Sequence, residues 1–311
     1  MTVCVATYNQ DRYIEECLLS VLAQAGDIPI EILLGNDGFS PETPHIVKRL
    51  SDRFPNVIRY FAHEKNLGAS RNYQFLVERA NGEYIAHLDG DDYWLPGKLR
   101  AQVSWLESHP NSPACYTNAV VISNEGNLLG AFASTVPPEI DLEYLLESGN
   151  FLNHSSLIYR SRHRDVVLNI DDEFIDYRLH LGFARLGKLG VDARTFTVYR
   201  ANSEHSMIKT TPEKVRILFF DALRNILPEA PAKTRRNALA NAGVTYTLDL
   251  LRFRFRRAKS GWQNIMAISP PDNIYAFVLS WFILLKKSIN WLAISAATLL
   301  RSEKLWVYYR R

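Results

Sequence analysis

Apolar residues follow two alternating rhythms through the first half of the chain. Residues 2–6, 30–34, 57–62 and 84–88 are short, largely apolar or β-branched runs that predict strands, the second of them suited to a strand covered on both faces. Between them, apolar positions recur at helical spacing over residues 11–24, 43–54 and 70–80. In the first of these, Tyr13, Ile14, Cys17, Leu18, Val21 and Leu22 share one face, and Asp11 stands where an N-cap belongs. Strands alternating with helices of this length imply an α/β fold with a mostly parallel sheet and helices on both faces. Ligands of such sheets bind beyond the carboxyl ends of the strands. Three polar clusters lie at such ends: Thr7-Tyr8-Asn9, Asn36-Asp37-Gly38 and Asp89-Gly90-Asp91-Asp92.

The second half is less regular. Residues 114–123, 155–160 and 195–200 read as strands, with a hairpin turn at 124–127. Helices are expected at about 172–186, 212–227 and 232–257. Thr211 followed by Pro212 is an N-cap with proline at the first helical position. The pattern divides the chain into residues 1–207, where strands and helices alternate, and a helical region over residues 208–311.

With 47% hydrophobic and 22% charged residues among 311, a substantial core is available and whole-chain disorder is excluded. Cys4, Cys17 and Cys115 are too few and too scattered for a disulfide framework, and no signal-peptide pattern opens the sequence, so a reducing, cytoplasmic setting is expected. The net charge of +3 conceals an asymmetry: residues 252–311 carry eleven Lys or Arg against Asp272 and Glu303, or +9, leaving −6 for residues 1–251. An acidic body argues against a nucleic-acid surface there.

Asp89, Asp91 and Asp92 crowd three carboxylates at the end of a buried-looking strand, an arrangement that calls for a cation or else for solvation as an acidic turn. Hard carboxylate oxygens suit Mg²⁺ or Mn²⁺ shared with substrate phosphates. An EF-hand is excluded because Trp94 and Arg100 occupy the sixth and twelfth positions from Asp89. Gly90 to Lys98 does not have phosphate-loop spacing.

Several ordered segments together resemble the family 2 glycosyltransferases of the GT-A fold. They are Val3-Cys4-Val5-Ala6-Thr7-Tyr8-Asn9, Glu31 to Gly38, Asn66-Leu67-Gly68 with Arg71-Asn72, and Asn81 to Asp92 continuing through Trp94-Leu95-Pro96, within roughly residues 1 to 205. The resemblance implies that Thr7, Tyr8 and Asn9 line a nucleotide and that Asp37 accepts a hydrogen bond from its base. Asp89 and Asp91 match the two acids of the DXD motif, so that Asp91, with Asp89, holds the divalent metal, and Arg71 adds positive charge near the donor. It also implies an acid ahead of a helix acting as base; Ile175-Asp176-Tyr177-Arg178-Leu179 matches that segment, which makes Asp176 the base, with Asp171, Asp172 and Glu173 as nearby alternatives. Two positions depart from the family pattern. Asn36 replaces an aspartate, and Asn202 takes the slot of a histidine near the metal, which His205 would fill if the loop is longer.

In the tail, Arg252-Phe253-Arg254-Phe255-Arg256-Arg257 interleaves cations with aromatics. Residues 274–285 are apolar apart from Ser280, too short for the ~20 residues that span a bilayer. On a helical wheel Ser280, Lys287, Ser288, Asn290, Ser295, Thr298, Arg301 and Ser302 share one side, which predicts an amphipathic helix. Such a helix packs on the catalytic domain or a second copy, or lies on a membrane; Trp281, Trp291, Trp306, Tyr308 and Tyr309 among basic residues favour an anionic membrane surface.

The expectation is therefore a metal-dependent inverting glycosyltransferase, peripheral on the cytoplasmic membrane face, moving a sugar from a nucleotide-sugar donor, a UDP-sugar above all, to a hydroxyl of a glycan or lipid-linked acceptor. The rivals are a nucleotidyltransferase, disfavoured by the neutral Thr7-Tyr8-Asn9-Gln10 loop, and a non-catalytic sugar-nucleotide-binding protein.

Overall fold

A computed structural model describes residues 1–24, 26, 28–134, 136–201, 206–269, 272–299 and 307–309. The strands are β1 (Thr2–Thr7), β2 (Glu31–Asn36), β3 (Ile58–Ala62), β4 (Tyr84–Asp89), β5 (Tyr93–Trp94), β6 (Ala114–Ile122), β7 (Leu128–Ala133), β8 (Glu139–Ile140), β9 (Ile158–Arg160), β10 (Leu189–Arg200) and β11 (Val307–Tyr309). The helices of the first two hundred residues are α1 (Asp11–Leu22), α2 (Thr43–Arg53), α3 (Ala69–Glu78), α4 (Lys98–Ser108), α5 (Leu142–Ser148), α6 (Asp165–Leu168) and α7 (Asp176–Leu186). After them come α8 (Met207–Thr210), α9 (Pro212–Ile226), α10 (Ala232–Leu251), α11 (Phe255–Ile268) and α12 (Asn273–Leu299).

These strands form one sheet in the order β11-β7-β6-β9-β4-β1-β2-β3, with β10 beside β6 and pairing also with β5 and β8. The β4-β1-β2-β3 half is parallel throughout, as the strand–helix alternation predicts. Thr7 pairs with Asn36 in register, and Ala6 with Asp89. The ends of β1, β2 and β4 therefore lie side by side, and the three polar clusters form one edge.

Alternation along the strands builds two cores, one on each face of the sheet. Val3, Val5, Ile32 and Leu34 point to the side of α1, α2 and α4. Cys4 and Leu33 point to the other, against Tyr73, Leu76 and Val77 of α3. Each fully buried Leu, Ile or Val contributes roughly 1.5–3 kcal/mol of transfer free energy. The second core runs on without a break into Phe220 and Leu223 of α9, Leu239 of α10 and Ile265 of α11. Tyr177 of α7 stacks on Phe219 of α9 at 5.1 Å.

Three local expectations are corrected. Asp11 does not cap its own helix; its carboxylate accepts from the backbone N–H and hydroxyl of Thr43, fastening α1 to the start of α2. The expected helix over 232–257 is two helices. The chain breaks at 252–254, where Phe253 adopts φ 57°, Arg254 N–H turns back to the Asp249 carbonyl, and the buried Asp249 carboxylate draws in Arg254 and Arg257. Thr211 precedes Pro212 as expected, but its hydroxyl donates to Met207 O instead of capping α9.

α12 is oriented opposite to the usual amphipathic rule. Ala276, Ser280 and Leu284 are buried; Ser280 Oγ lies 2.9 Å from Thr247 Oγ1 of α10, and Lys287 donates to Asn241 Oδ1 at 3.2 Å. Ile274, Tyr275, Val278, Phe282 and Leu285 are left exposed. Gly243 stands opposite Ser280, and a Cβ there would crowd the Trp262 ring of α11 that packs beside it. Among the described residues no helix is long and apolar enough to cross a membrane.

Candidate active site

Two kinds of carboxylate face each other at the strand-end edge. The loop after β4 turns immediately, Asp92 N–H donating to Asp89 O, and is drawn under β1 by the bond from Gly90 N–H to Ala6 O. Gly90 has no space for a side chain: a Cβ would stand 2.7 Å from Gln10 Oε1 and 2.8 Å from Thr7. The side chain of Asp89 is 46% exposed, whereas Asp92 is 2% exposed. Asp89 Oδ1 lies 3.1 Å from His87 Nε2, and Asp89 Oδ2 is 3.3 Å from Ser155 Oγ. Asp91 is partly exposed beside it.

Asp92 faces inward. Its Oδ1 accepts from Arg200 N–H at 2.8 Å and its Oδ2 meets Ser155 Oγ at 2.6 Å. Burial, reinforced by the charges of Asp91 and Asp89, pushes its carboxyl well above the ordinary range. Asp92 thus anchors the loop, and Asp89 and Asp91 form its open side.

Arg200, at the end of β10, closes the loop from below. Its Nε donates to Asp91 O at 3.1 Å, Nη2 to Glu16 at 3.0 Å, and Nη1 to Ser123 O and Asn124 O, while the guanidinium lies 4.2 Å from the Tyr13 ring centre. These contacts span up to 184 residues of sequence, so no local pattern announces them. His87 was accessible to a sequence reader, since two residues before Asp89 on a strand is the same face.

The other nucleotide-side residues occupy the same edge in different states. Thr7 is buried and its hydroxyl donates to Gln10 Oε1, whereas Tyr8 is 43% exposed. Asn9 has φ 54°, and its buried Oδ1 has no hydrogen-bond partner among the described residues. Asp37 is buried, and both its oxygens accept from backbone, Leu67 N–H at 2.6 Å and Gly68 N–H at 2.8 Å. Its carboxylate thereby fixes the start of α3, with Gly68 supplying the φ of 84° that the turn needs. Asn36 turns to Tyr60 and to Gly38 N–H. Arg71 is exposed; it donates to Gln74 Oε1 and to the Asp171 carbonyl, tying the loop before α7 to α3.

Opposite lies Asp176, the first residue of α7. Burial pushes its carboxyl up to about 6, against the lowering effect of N–H donors from Asn150 at 2.9 Å and Tyr177 at 2.8 Å, and the charge of Asp89 raises it further. Asp89 and Asp176 therefore share one electrostatic environment. The alternatives do not: Asp171, Asp172 and Glu173 are exposed, and Glu173 pairs with Lys214 at 2.7 Å. Behind Asp176 stand His87, His154 and His180, with ring centres 3.9 and 5.6 Å apart in sequence. Burial lowers His154 well below the usual imidazole range and His180 to about 3, so both are neutral.

Among the described residues no three His, Cys, Asp or Glu side chains converge to hold a metal unaided. His205 and Asn202 lie outside the described residues. Asp89 and Asp91 present a donor set of two oxygen ligands at an open edge, which fits a hard cation completed by substrate phosphates and does not fit a closed structural site.

The family model described as Glycosyl transferase family 2 matches residues 2–205. An uncharacterized protein of Mycobacterium tuberculosis is 32% identical over 211 residues, 65% of this chain and 59% of that protein. The chain thus spans about three-fifths of the length of that relative. An uncharacterized glycosyltransferase of a Nostoc species is 28% identical over 296 residues, 90% of this chain and 88% of its own. Among solved structures, S. aureus TarS 1-349 in complex with UDP-GlcNAc superposes with a TM-score of 0.63 at 16% identity, over 90% of this chain and 87% of that one. At that identity the likeness establishes the fold, which is GT-A as the motifs imply.

Proposed function

The chain belongs to the family 2 glycosyltransferases, and from that membership we propose that it is an inverting enzyme that moves a sugar from a UDP-sugar to a hydroxyl of a glycan or lipid-linked acceptor, in the assembly of a polysaccharide or cell-surface glycan. The observation that carries the reading is the pairing of open carboxylates at the end of β4 with one half-buried carboxylate at the start of α7, tied by Asn150 and Tyr177 N–H, that desolvation pushes up to about 6. A base for a sugar hydroxyl works best when it is ionised near neutral pH yet still basic, and burial gives Asp176 that compromise. The UDP-GlcNAc complex of TarS supports a UDP-sugar as donor.

In the proposed reaction the acceptor oxygen attacks the anomeric carbon from the face opposite the phosphate. The new C–O bond forms as the old one breaks, Asp176 takes the hydroxyl proton, and the nucleoside diphosphate leaves with the bonding electrons. Tyr8 and Asn9 line the nucleotide, while Thr7 and Asp37 hold their loops in place and Arg71 holds the rim. Asp89 and Asp91 would bind Mg²⁺ or Mn²⁺, which neutralises charge on the departing diphosphate when present. The test is release of nucleoside diphosphate from a panel of UDP-sugars, with and without candidate acceptors; a purified chain that turns over none of them would sink the reading.

We place the enzyme at the cytoplasmic face of a membrane, close to a lipid-linked acceptor. The exposed face of α12 supports this, since its polar side is spent on α10 and its apolar side remains uncovered. Phe253 and Phe255, both exposed, stand between Arg252, Arg254 and Arg256, the composition of a headgroup-binding segment. Co-sedimentation with anionic liposomes is expected for the wild type. It should fall when Val278, Phe282 and Leu285 are changed to Ser, with donor turnover intact; unchanged binding would refute the placement.

A further inference from the structure

The base rests on side chains that the proposed reaction leaves without a task. We propose that Asn150 and His180 are positioning residues for Asp176, holding one of its oxygens fixed so that the other stays free to receive a proton. This rests on the reading of Asp176 as the base.

Asp176 Oδ1 accepts two N–H groups, from Asn150 Nδ2 at 2.9 Å and from Tyr177 N at 2.8 Å. Oδ2 has no partner among the described residues. A carboxylate only accepts, so the amide of Asn150 must present its NH₂ to Asp176 and its oxygen elsewhere. That oxygen lies 3.2 Å from His180 Nδ1. His180 must therefore carry its proton on Nδ1, leaving a lone pair on Nε2. Nε2 is buried and unpartnered among the described residues, and none of them draws the proton to that side. Burial keeps the ring neutral by lowering it to about 3, so the donor survives throughout the working pH range.

The backbone prepares this relay. Gly149 ends α5 at φ 79°, a conformation that suits glycine, and the turn brings Asn150 against α7. Asp176 and His180 are four apart on α7, one turn, so both reach the same amide. The other titratable groups facing Asp176 are Asp89 and His87 from β4 and Tyr116 from β6, whose hydroxyl is pushed upward by burial and, after it, by the charge of Asp176. None of them donates to its carboxylate. Asn150 is thus the only side chain among the described residues that fixes its direction.

The full chain, labelled at aspartate carboxyl carbons and titrated by NMR without metal or donor, tests this, with Asp176→Asn identifying the resonance. A hydrogen bond to the charged form favours ionisation, so Asn150→Ala should raise the Asp176 midpoint by about half a pH unit or more. His180→Leu frees the amide to turn and should shift it less in the same direction; His180→Gln, whose amide can donate to Asn150, should move it back toward wild type. With a UDP-sugar that is turned over, Asn150→Ala should lower kcat at pH 6 about tenfold and leave donor KM within about twofold. Midpoints in Asn150→Ala or in His180→Leu that match wild type would overturn the proposal, and either folded variant decides it. Wild-type turnover by Asp176→Asn would overturn the base reading instead; an inactive Asp176→Asn beside an unshifted Asn150→Ala would overturn this inference alone.

Discussion

The loop after β4 and the first turn of α7 bring the same functional group to one cleft and treat it in opposite ways. In the loop, three carboxylates are packed within four residues, and the structure sorts them by depth: Asp92 inward, Asp89 and Asp91 outward. At α7 a single half-buried carboxylate is tied by one oxygen. The open side of the loop leaves Asp89 and Asp91 able to meet a cation and a diphosphate, while desolvation at the start of α7 gives Asp176 a proton affinity that a fully solvated aspartate lacks. Charge density suits the first task and isolation the second.

The contrast is broken most severely at its α7 member. Asp176→Asn is expected to lower kcat by about 10²–10⁴ while donor binding, followed by calorimetry, stays near wild type. Turnover within a few-fold of wild type would mean that the two carboxylate groups do not divide the work. At the open member, Asp91→Asn should cost about 10²–10³ in turnover, comparable to removing one pre-placed electrostatic group, and should weaken donor binding as well. Chelator added to wild type should reproduce that loss, and Asp91→Asn should leave the melting temperature nearly unchanged because the group is not buried. Full activity in chelator would remove the cation from the scheme.

The smallest effect is on stability against pH. Asp176 has a folded pKa near 6, above its unfolded value, so its contribution is fully present below about 4 and is lost as pH rises through about 6. His154 and His180, lowered by burial, act with the opposite sign: they cost stability as pH falls below about 6.5 and the unfolded chain takes up protons. The carboxyl therefore partly offsets the imidazoles between these limits. In Asp176→Asn that offset is gone, and urea unfolding should show about 1 kcal/mol more destabilisation than wild type on going from pH 6 to pH 5. Parallel pH profiles would show that burial does not set the Asp176 carboxyl apart from the exposed acids.

What the sequence disclosed and what it withheld follow the range of the forces involved. The parallel half of the sheet was legible because a strand's two faces and a helix's one face are written in successive residues. The clustering of Thr7, Asp37 and Asp89 followed from register alone. Asp176 was legible through family resemblance, but its isolation from Asp171, Asp172 and Glu173 is a matter of burial, which adjacent residues in a sequence do not reveal. Arg200, Ser155 and Asn150 meet their carboxylates across 108, 63 and 26 residues, and no spacing rule reaches so far. For α12 the polar stripe was legible but its seat was not, because Thr247 of α10 meets Ser280 across 33 residues of sequence.

The crowding at Gly90 bears on how far this enzyme can be remodelled. The middle position of an acid-X-acid motif invites diversification, since it carries no acid itself. Here any replacement would drive a methyl group or more into Thr7 and Gln10 and prise β1 from β4 at the point where both loops open. Mutant libraries that randomise position 90 are therefore expected to return glycine almost exclusively. Tyr8 and Phe39, exposed on the neighbouring loops, can change without moving the backbone. A search for altered donor preference has its freedom on those two rims, and the lineage of such variants should record substitutions there while the residue between the two acids stands still.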